Sequence, residues 1–442
     1  MNIVEAVRFL SDEAKKVATA FDIVAGHSKS EGVSVFKGKV QNTEISESVG
    51  IGIRAFQGAN PGYAYTERLT ESALRQTLKD AISHTAFTKP LSIELPFPEN
   101  RPMRKLPYNP ELRNVTLSQM ADLSKEIESR CYALSKEVTN VPYLGAQKEE
   151  NHVVFANSNG VHFEKRENGI GAGAGVVAER GASRKMGGFD RDALSLADIS
   201  AEEIARKSVE RAVELLEPSK IDGGKMPVVL SERVAGQIVG MYASSFLAEQ
   251  VQKGQSRLQG KLGQKIAGAN ISLYSDPTRS DLPGVRTFDG EGTFADKVAV
   301  VENGILVDLL YNLETASVAK RSSNGCASRS YSGKVGTSFS NLVVLPGERT
   351  TSELLSLFPR ALLVVRLEGN SGCSAVSGEM SIGVQGMYAE NGKILHPVEG
   401  ATLSANFIDL LGTLVAVGSE YSDAYTSLQV PALAFPEVSV SN

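Results

Sequence analysis

Two stretches, Val298-Ala299-Val300-Val301-Glu302-Asn303-Gly304-Ile305-Leu306-Val307-Asp308-Leu309-Leu310 and Met387-Tyr388-Ala389-Glu390-Asn391-Gly392-Lys393-Ile394-Leu395-His396, carry one pattern: two apolar runs around an Asn-Gly step. Tight two-residue hairpins need positive φ at both central positions, which Asn and Gly tolerate best, so each stretch predicts a pair of antiparallel strands. Outward from them, Met226 to Leu230 reads as a strand. A long helix is expected from about Glu232 to Leu247, with a domain boundary near Ile221-Asp222-Gly223-Gly224.

The amino-terminal half mixes periods. Ile3, Ala6, Val7, Leu10, Ala14 and Val17 repeat at three-to-four spacing and predict an opening helix over residues 3–20. From Gly32 to Tyr65 the pattern becomes strand-like, with Lys37-Gly38 and Gly58-Ala59-Asn60-Pro61-Gly62 as punctuation, and predicts three short antiparallel strands. Thr70 is placed as the N-cap of a helix reaching about Ser83. Prolines 90, 96, 98, 102, 107 and 110 then argue for a linker or wrapping arm. A helix from Leu117 to Ser135 follows, then strand-like sequence from Tyr143 to Val177 turning at Ser158-Asn159-Gly160. Ser200 opens another helix, which ends before Pro218.

These elements give an α+β, antiparallel-sheet-rich protein in two parts. Residues 1–220 form an amino-terminal α+β domain, made of a helix-meander-helix unit (1–89), a Pro-rich linker (90–110) and a helix and hairpin unit (111–220). Residues 221–442 form a β-rich carboxyl-terminal domain.

Composition narrows the chemistry. The chain has 442 residues, 46 Lys and Arg against 51 Asp and Glu, and a formal charge of −5, so its field disfavours direct nucleic-acid binding. No apolar run is long enough for a membrane helix, and the start shows no signal-peptide pattern; a cytoplasmic protein is expected. Cys131, Cys326 and Cys373 are few, odd in number and far apart, which fits reduced thiols. Among the five histidines, His152 and His162 are nearest; across a two-residue turn at Asn159-Gly160 they would lie roughly 17 Å apart, too far to share a metal. Cys373 in a glycine-rich loop with His396 as base, and Asp289 with Glu291 as an acid-base pair, are candidates. Their alternatives are a small buried thiol and a solvated turn. Gly171, Gly173 and Gly175 do not fit a phosphate-binding loop, because strand-forming Val176 and Val177 follow them; a small-residue strand packed closely by a neighbour is expected.

Several phrases, taken in order, resemble the TldD/PmbA family. They are Val251-Gln252-Lys253-Gly254-Gln255-Ser256, Gly284-Val285-Arg286-Thr287-Phe288-Asp289-Gly290-Glu291-Gly292, Val301-Glu302-Asn303-Gly304-Ile305-Leu306, and Glu390-Asn391-Gly392-Lys393 leading to Pro397-Val398-Glu399-Gly400-Ala401-Thr402-Leu403. In the TldD branch the resemblance implies a zinc peptidase with H-E-x-x-x-H on the helix after the first carboxyl-terminal strand, and a cysteine near the end of the chain. Here Gly236 and Met241 stand for the histidines and Gln237 for the glutamate, no histidine lies between Glu164 and Leu395, and no cysteine follows Cys373. The resemblance is therefore to the PmbA (TldE) branch, which is similar to its partner but lacks the metal-binding residues. It implies a non-catalytic subunit with no metal or cofactor of its own, zinc held by a TldD-like partner, and unfolded peptide as substrate. It further implies a homodimer in isolation and the family's association with modulation of DNA gyrase. An autonomous peptidase using an unrecognised site, or a non-proteolytic regulator of gyrase, are the competing readings. Extended peptide could add as a strand to an exposed sheet edge.

Overall fold

The computed structural model describes residues 1–422 and 425–441 and has an α+β architecture dominated by antiparallel sheet. Helix α1 (Ile3–Ala14) begins with a reciprocal cap: Asn2 accepts from the Glu5 amide at 2.9 Å and Glu5 accepts from the Asn2 amide at 3.0 Å. It is shorter than the expected 3–20 because strand pairing claims the chain from Ala20 onward, and Val17 is left 51% exposed.

The first sheet runs β3-β2-β1-β4-β5-β6, all antiparallel, from β1 (Ala20–Phe36), β2 (Lys39–Gln57), β3 (Asn60–Thr66), β4 (Val138–Asn157), β5 (His162–Arg180) and β6 (Ser183–Ala193). Instead of three short strands over 32–65, β1 and β2 have 17 and 19 residues. The polar stretch Glu44–Ser48 hides their middle from a hydrophobic pattern, yet the ladder continues through it, since backbone pairing does not require apolar side chains. Period-two alternation sorts the faces. Phe21, Ile23 and Ala25 pack with α1 and α2 (Glu71–His84), while Val33 and Val35 join the core under α3 (Leu117–Leu134) and α4 (Ala201–Val213). Asp22 and Val24 face the other way, toward the carboxyl-terminal half, where Arg329 reaches Asp22 and Tyr331 packs in the cluster of Val24. Tyr331 sits so close to β2 that a Cβ on Gly52 would lie 1.9 Å from its carbonyl oxygen.

In the carboxyl-terminal half, β7 (Gly224–Leu230) pairs in parallel with Arg360–Leu367 and antiparallel with Leu433–Ser441. Strands Glu379–Glu390 and Lys393–Asn406 follow, and the latter pairs with Leu433–Ser441, which closes a five-strand ring around the largest core. The Asn-Gly steps turn as expected: φ is 49° and 80° at Asn303 and Gly304, and 48° and 81° at Asn391 and Gly392. Only Ile305–Leu306 of the predicted return strand pairs with Val298–Glu302. The helix after β7, α5, spans only Glu232–Tyr242; a 3-10 turn at Ala243–Phe246 bends the chain to bury Phe246, so the expected helix to Leu247 is interrupted.

Between Thr88 and Asn109 the described chain has no helix or strand, and it straps the halves together. Asn157 and Asn159 donate to the Pro96 and Leu95 carbonyls at 2.8 and 2.7 Å, and Arg101 binds Asp296 through two 2.8 Å hydrogen bonds.

Candidate functional site

On β5 the alanines and glycines divide by face. Ala172 and Ala174 are buried under α3 and α4, whereas Gly171, Gly173 and Gly175 form a floor opposite them. A Cβ at Gly173 would come 2.9 Å from that of Asp190 on the adjoining strand, so a larger residue has no room there. As the small-residue reading expects, β5 continues as strand to Arg180 and opens no helix. Over this floor lie two cavities, of about 1000 and about 680 Å³, which share Gly145, Gly173 and Asp190.

The larger cavity lies between edge strand β6, α4, the start of α5 and the end of Arg360–Leu367. Three arginines, one from each of the last three elements, converge on it. Arg211 donates to the Gly188 carbonyl at 2.8 Å with its guanidinium 4.9 Å from the Phe189 ring centre, Arg233 donates to the Val365 carbonyl at 2.9 Å, and Arg366 donates to the Met186 carbonyl. Two carbonyls of the β6 edge are therefore occupied by guanidinium groups. No ion pair forms at any of the three among the described residues, although Asp190, Glu214, Glu232 and Glu420 also line the cavity. Burial, and then the like charges of Arg211 and Arg366, push the Arg233 guanidinium down to about 10. Burial pushes the Glu214 carboxyl above its ordinary range.

The motif-equivalent positions lie on α5. Gly236 is buried, Met241 packs at the margin of the core, and Gln237 is exposed and lines the larger cavity. The structure thus brings Gln237 together with three arginines that no sequence motif marked; their only signal was that Arg233 follows β7 by three residues. An amide, a thioether and a glycine, the amide in a cavity with three guanidinium groups, are a poor donor set for Zn²⁺, which needs imidazole, thiolate or carboxylate and is repelled by cations. Among the described residues, no group of three or more His, Cys, Asp or Glu side chains is arranged to hold a metal ion.

The other candidates separate. Asp289 and Glu291 are 2% and 0% exposed, so the solvated-turn alternative is corrected. Asp289 accepts from the amides of Glu291, Thr293 and Ala327 at 2.9, 2.9 and 3.0 Å, and Glu291 accepts from the Leu313 amide at 2.8 Å while its other oxygen is 2.8 Å from Arg54. Arg54 and Arg329 also both bind Asp22, which completes a buried four-charge network between the halves. Cys373 lies at the margin of the core near Tyr242, whereas His396 stacks on Tyr388 at 5.3 Å; no hydrogen bond between Cys373 and His396 is formed. The turn at residues 157–161 is one residue longer than expected, so His162 faces Ala156 and His152 faces Arg166. The histidine opposite His152 is His27, on β1.

Comparison with known proteins bears on the whole chain. Residues 21–84, 110–216 and 223–442 match, in order, domain 1, the central domain and the C-terminal domain of the PmbA/TldA metallopeptidases. A metalloprotease of Methanothermobacter thermautotrophicus is 27% identical over 417 residues, covering 90% of this chain and 88% of the relative. Metalloprotease PmbA of Escherichia coli O157:H7 is 24% identical over 463 residues, covering 99% and 97%. A proposed modulator of DNA gyrase from Thermotoga maritima superposes over 100% of both chains with a TM-score of 0.90 at 26% identity.

Proposed function

Because the chain belongs to the PmbA/TldA metallopeptidase family, we propose that it is the non-catalytic, peptide-guiding member of a zinc protease system whose catalytic chain is of the TldD type. The observation that carries this reading is the cleft beside α5. Of the motif-equivalent positions only Gln237 reaches it, Gly236, Gln237 and Met241 carry no imidazole, thiolate or carboxylate, and three guanidinium groups without an ion pair among the described residues line it. A divalent cation capable of activating water would be held by the partner chain. What this chain contributes is a walled, glycine-floored trough long enough for unfolded peptide. The β6 edge supports peptide addition less well than sequence suggested, since Met186 and Gly188 already have their carbonyls satisfied.

The purified chain, supplied with Zn²⁺ and an unfolded casein peptide, is expected to leave the peptide intact, and cleavage is expected on adding a companion chain that carries H-E-x-x-x-H. Chelator-sensitive turnover by this chain alone would overturn the proposal. Iodoacetamide-sensitive turnover would instead favour Cys373 as a nucleophile.

A further inference from the structure

We infer that Arg211, Arg233 and Arg366 form a carboxylate-binding site that takes the free carboxyl terminus of a short unstructured peptide. The inference rests on the peptide-guiding reading and names the part of the peptide that this cleft recognises. An arginine has five N–H donors in a planar fork that matches a carboxylate. Each of these three is fixed by a hydrogen bond to a backbone carbonyl, Gly188, Val365 or Met186, which leaves further donors on every guanidinium. None has an ion-pair partner among the described residues. Of the carboxylates around the cavity, Glu232 is engaged by the Thr351 hydroxyl, Asp190 and Glu420 are exposed whereas the arginines are half-buried, and Glu214, whose carboxyl burial raises, holds its charge less firmly than a solvated carboxylate. Three like charges held together in a partly desolvated cleft raise the energy of the empty site, and the lowered Arg233 value records that strain. An incoming carboxylate relieves it.

The shape of the cleft selects a peptide over a compact oxyanion. From the arginine end the glycine floor continues into the second cavity, and Gly171 to Gly175 alone span roughly 13 Å, about the length of four extended residues. Glu149, Glu167, Asp190 and Asp192 line that second cavity. Unlike the arginine end, this cavity has no Lys or Arg among its described lining to offset them, so the carboxylate of a bound chain belongs at the arginine end.

The test is fluorescence anisotropy of the full chain, in buffer containing a chelator, with an amino-terminally fluorescein-labelled alanine–glycine pentapeptide as free acid and as carboxyl-terminal amide. The free acid is expected to bind about ten-fold or more tightly than the amide, the effect of one charge-assisted hydrogen-bond pair. Arg233→Gln and, separately, Arg366→Gln should reduce that ratio toward one. Arg233→Lys, which keeps the charge and loses the fork, should reduce it partially and guards against a folding artefact. Equal binding of acid and amide would overturn this inference while leaving the peptide-guiding reading intact; binding of neither would overturn both. Inorganic phosphate competing as well as the free-acid peptide at equal concentration would show a compact oxyanion pocket and overturn the peptide assignment. Cleavage by the chain alone without chelator would defeat the proposed function without altering the acid-to-amide ratio.

Discussion

Arg54 and Arg329 lie between the two halves of the molecule with carboxylates against their guanidinium groups, whereas Arg211, Arg233 and Arg366 face a cleft whose carboxylates, Asp190, Glu214, Glu232 and Glu420, form no ion pair with them among the described residues. The first pair is 1% and 2% exposed, and Asp22 and Glu291 are wholly buried beside them. Burial alone would raise Asp22, but Arg329 and Arg54 outweigh it and hold the carboxyl below its ordinary range; Asp22 and Glu291 likewise hold Arg54 well above its own. The same side chain thus serves two ends. Where every charge is matched and water excluded, arginine fixes how the halves meet. Where guanidinium groups are fixed only by neutral carbonyls and remain half-open, their unspent charge is available to a ligand.

The largest effect should come from breaking the matched set. Arg54→Met removes the shared partner of Asp22 and Glu291 and leaves Glu291 buried without a cation. Breaking a buried pair from one side typically costs about 3–5 kcal/mol, and a loss of that order is expected in equilibrium denaturation. A loss under about 1 kcal/mol would show that the network does not join the halves.

Asp289, beside that network, gives a second and smaller test. Burial first, then the negative Glu291, push its carboxyl up to about 7, against the pull of Arg286 and the amides of Glu291 and Ala327; its ordinary value is 3.8. Between those values the native chain keeps a proton that the unfolded chain has released. This group's contribution to stability is therefore full below about 4, falls as pH rises to about 7 by up to about 1.4 kcal/mol per pH unit, and is level above that. Asp22, with a lowered pKa, acts with opposite sign and in another window: its contribution is present above the ordinary carboxylate value and is lost as pH falls below it. Melting temperatures of the wild type and Asp289→Asn between pH 5 and 8 separate the two, since only the slope assigned to Asp289 should vanish in the variant.

The matched and unmatched arginines were not equally hidden in the sequence. Hairpins at Asn303-Gly304 and Asn391-Gly392, the Thr70 cap and the small-residue β5 strand were legible because each depends on local backbone chemistry. Register across distant strands was not. Asp22 meets Arg329 across 307 residues, and His27 lies opposite His152 because β1 inserts between β2 and β4. Gln237 could be placed from motif spacing, but Arg211 and Arg366 reach the same cleft from α4 and a strand more than a hundred residues later. Polar residues with no periodicity give no signal until the fold places them. Asp289 and Glu291 misled for the same reason: glycines flank them as in an exposed turn, and only the strap and the Arg54 contact show them to be interior.

The smallest effect has the opposite sign to the first and is the sharpest test of the contrast. Arg233→Gln keeps a side-chain donor for the Val365 carbonyl but removes the charge that Arg211 and Arg366 repel. The variant should be more stable than the wild type by about 0.5–1 kcal/mol, the gain expected when a site tuned for binding is relaxed. Charge screening supplies the control. Added salt weakens repulsion between half-open charges more than attraction between buried ones, so the gain should shrink at high ionic strength while the loss in Arg54→Met stays nearly constant. If Arg233→Gln instead destabilises the fold by several kcal/mol at every salt concentration, Arg233 belongs with Arg54 as a structural cation, and the distinction between the two arginine sets fails.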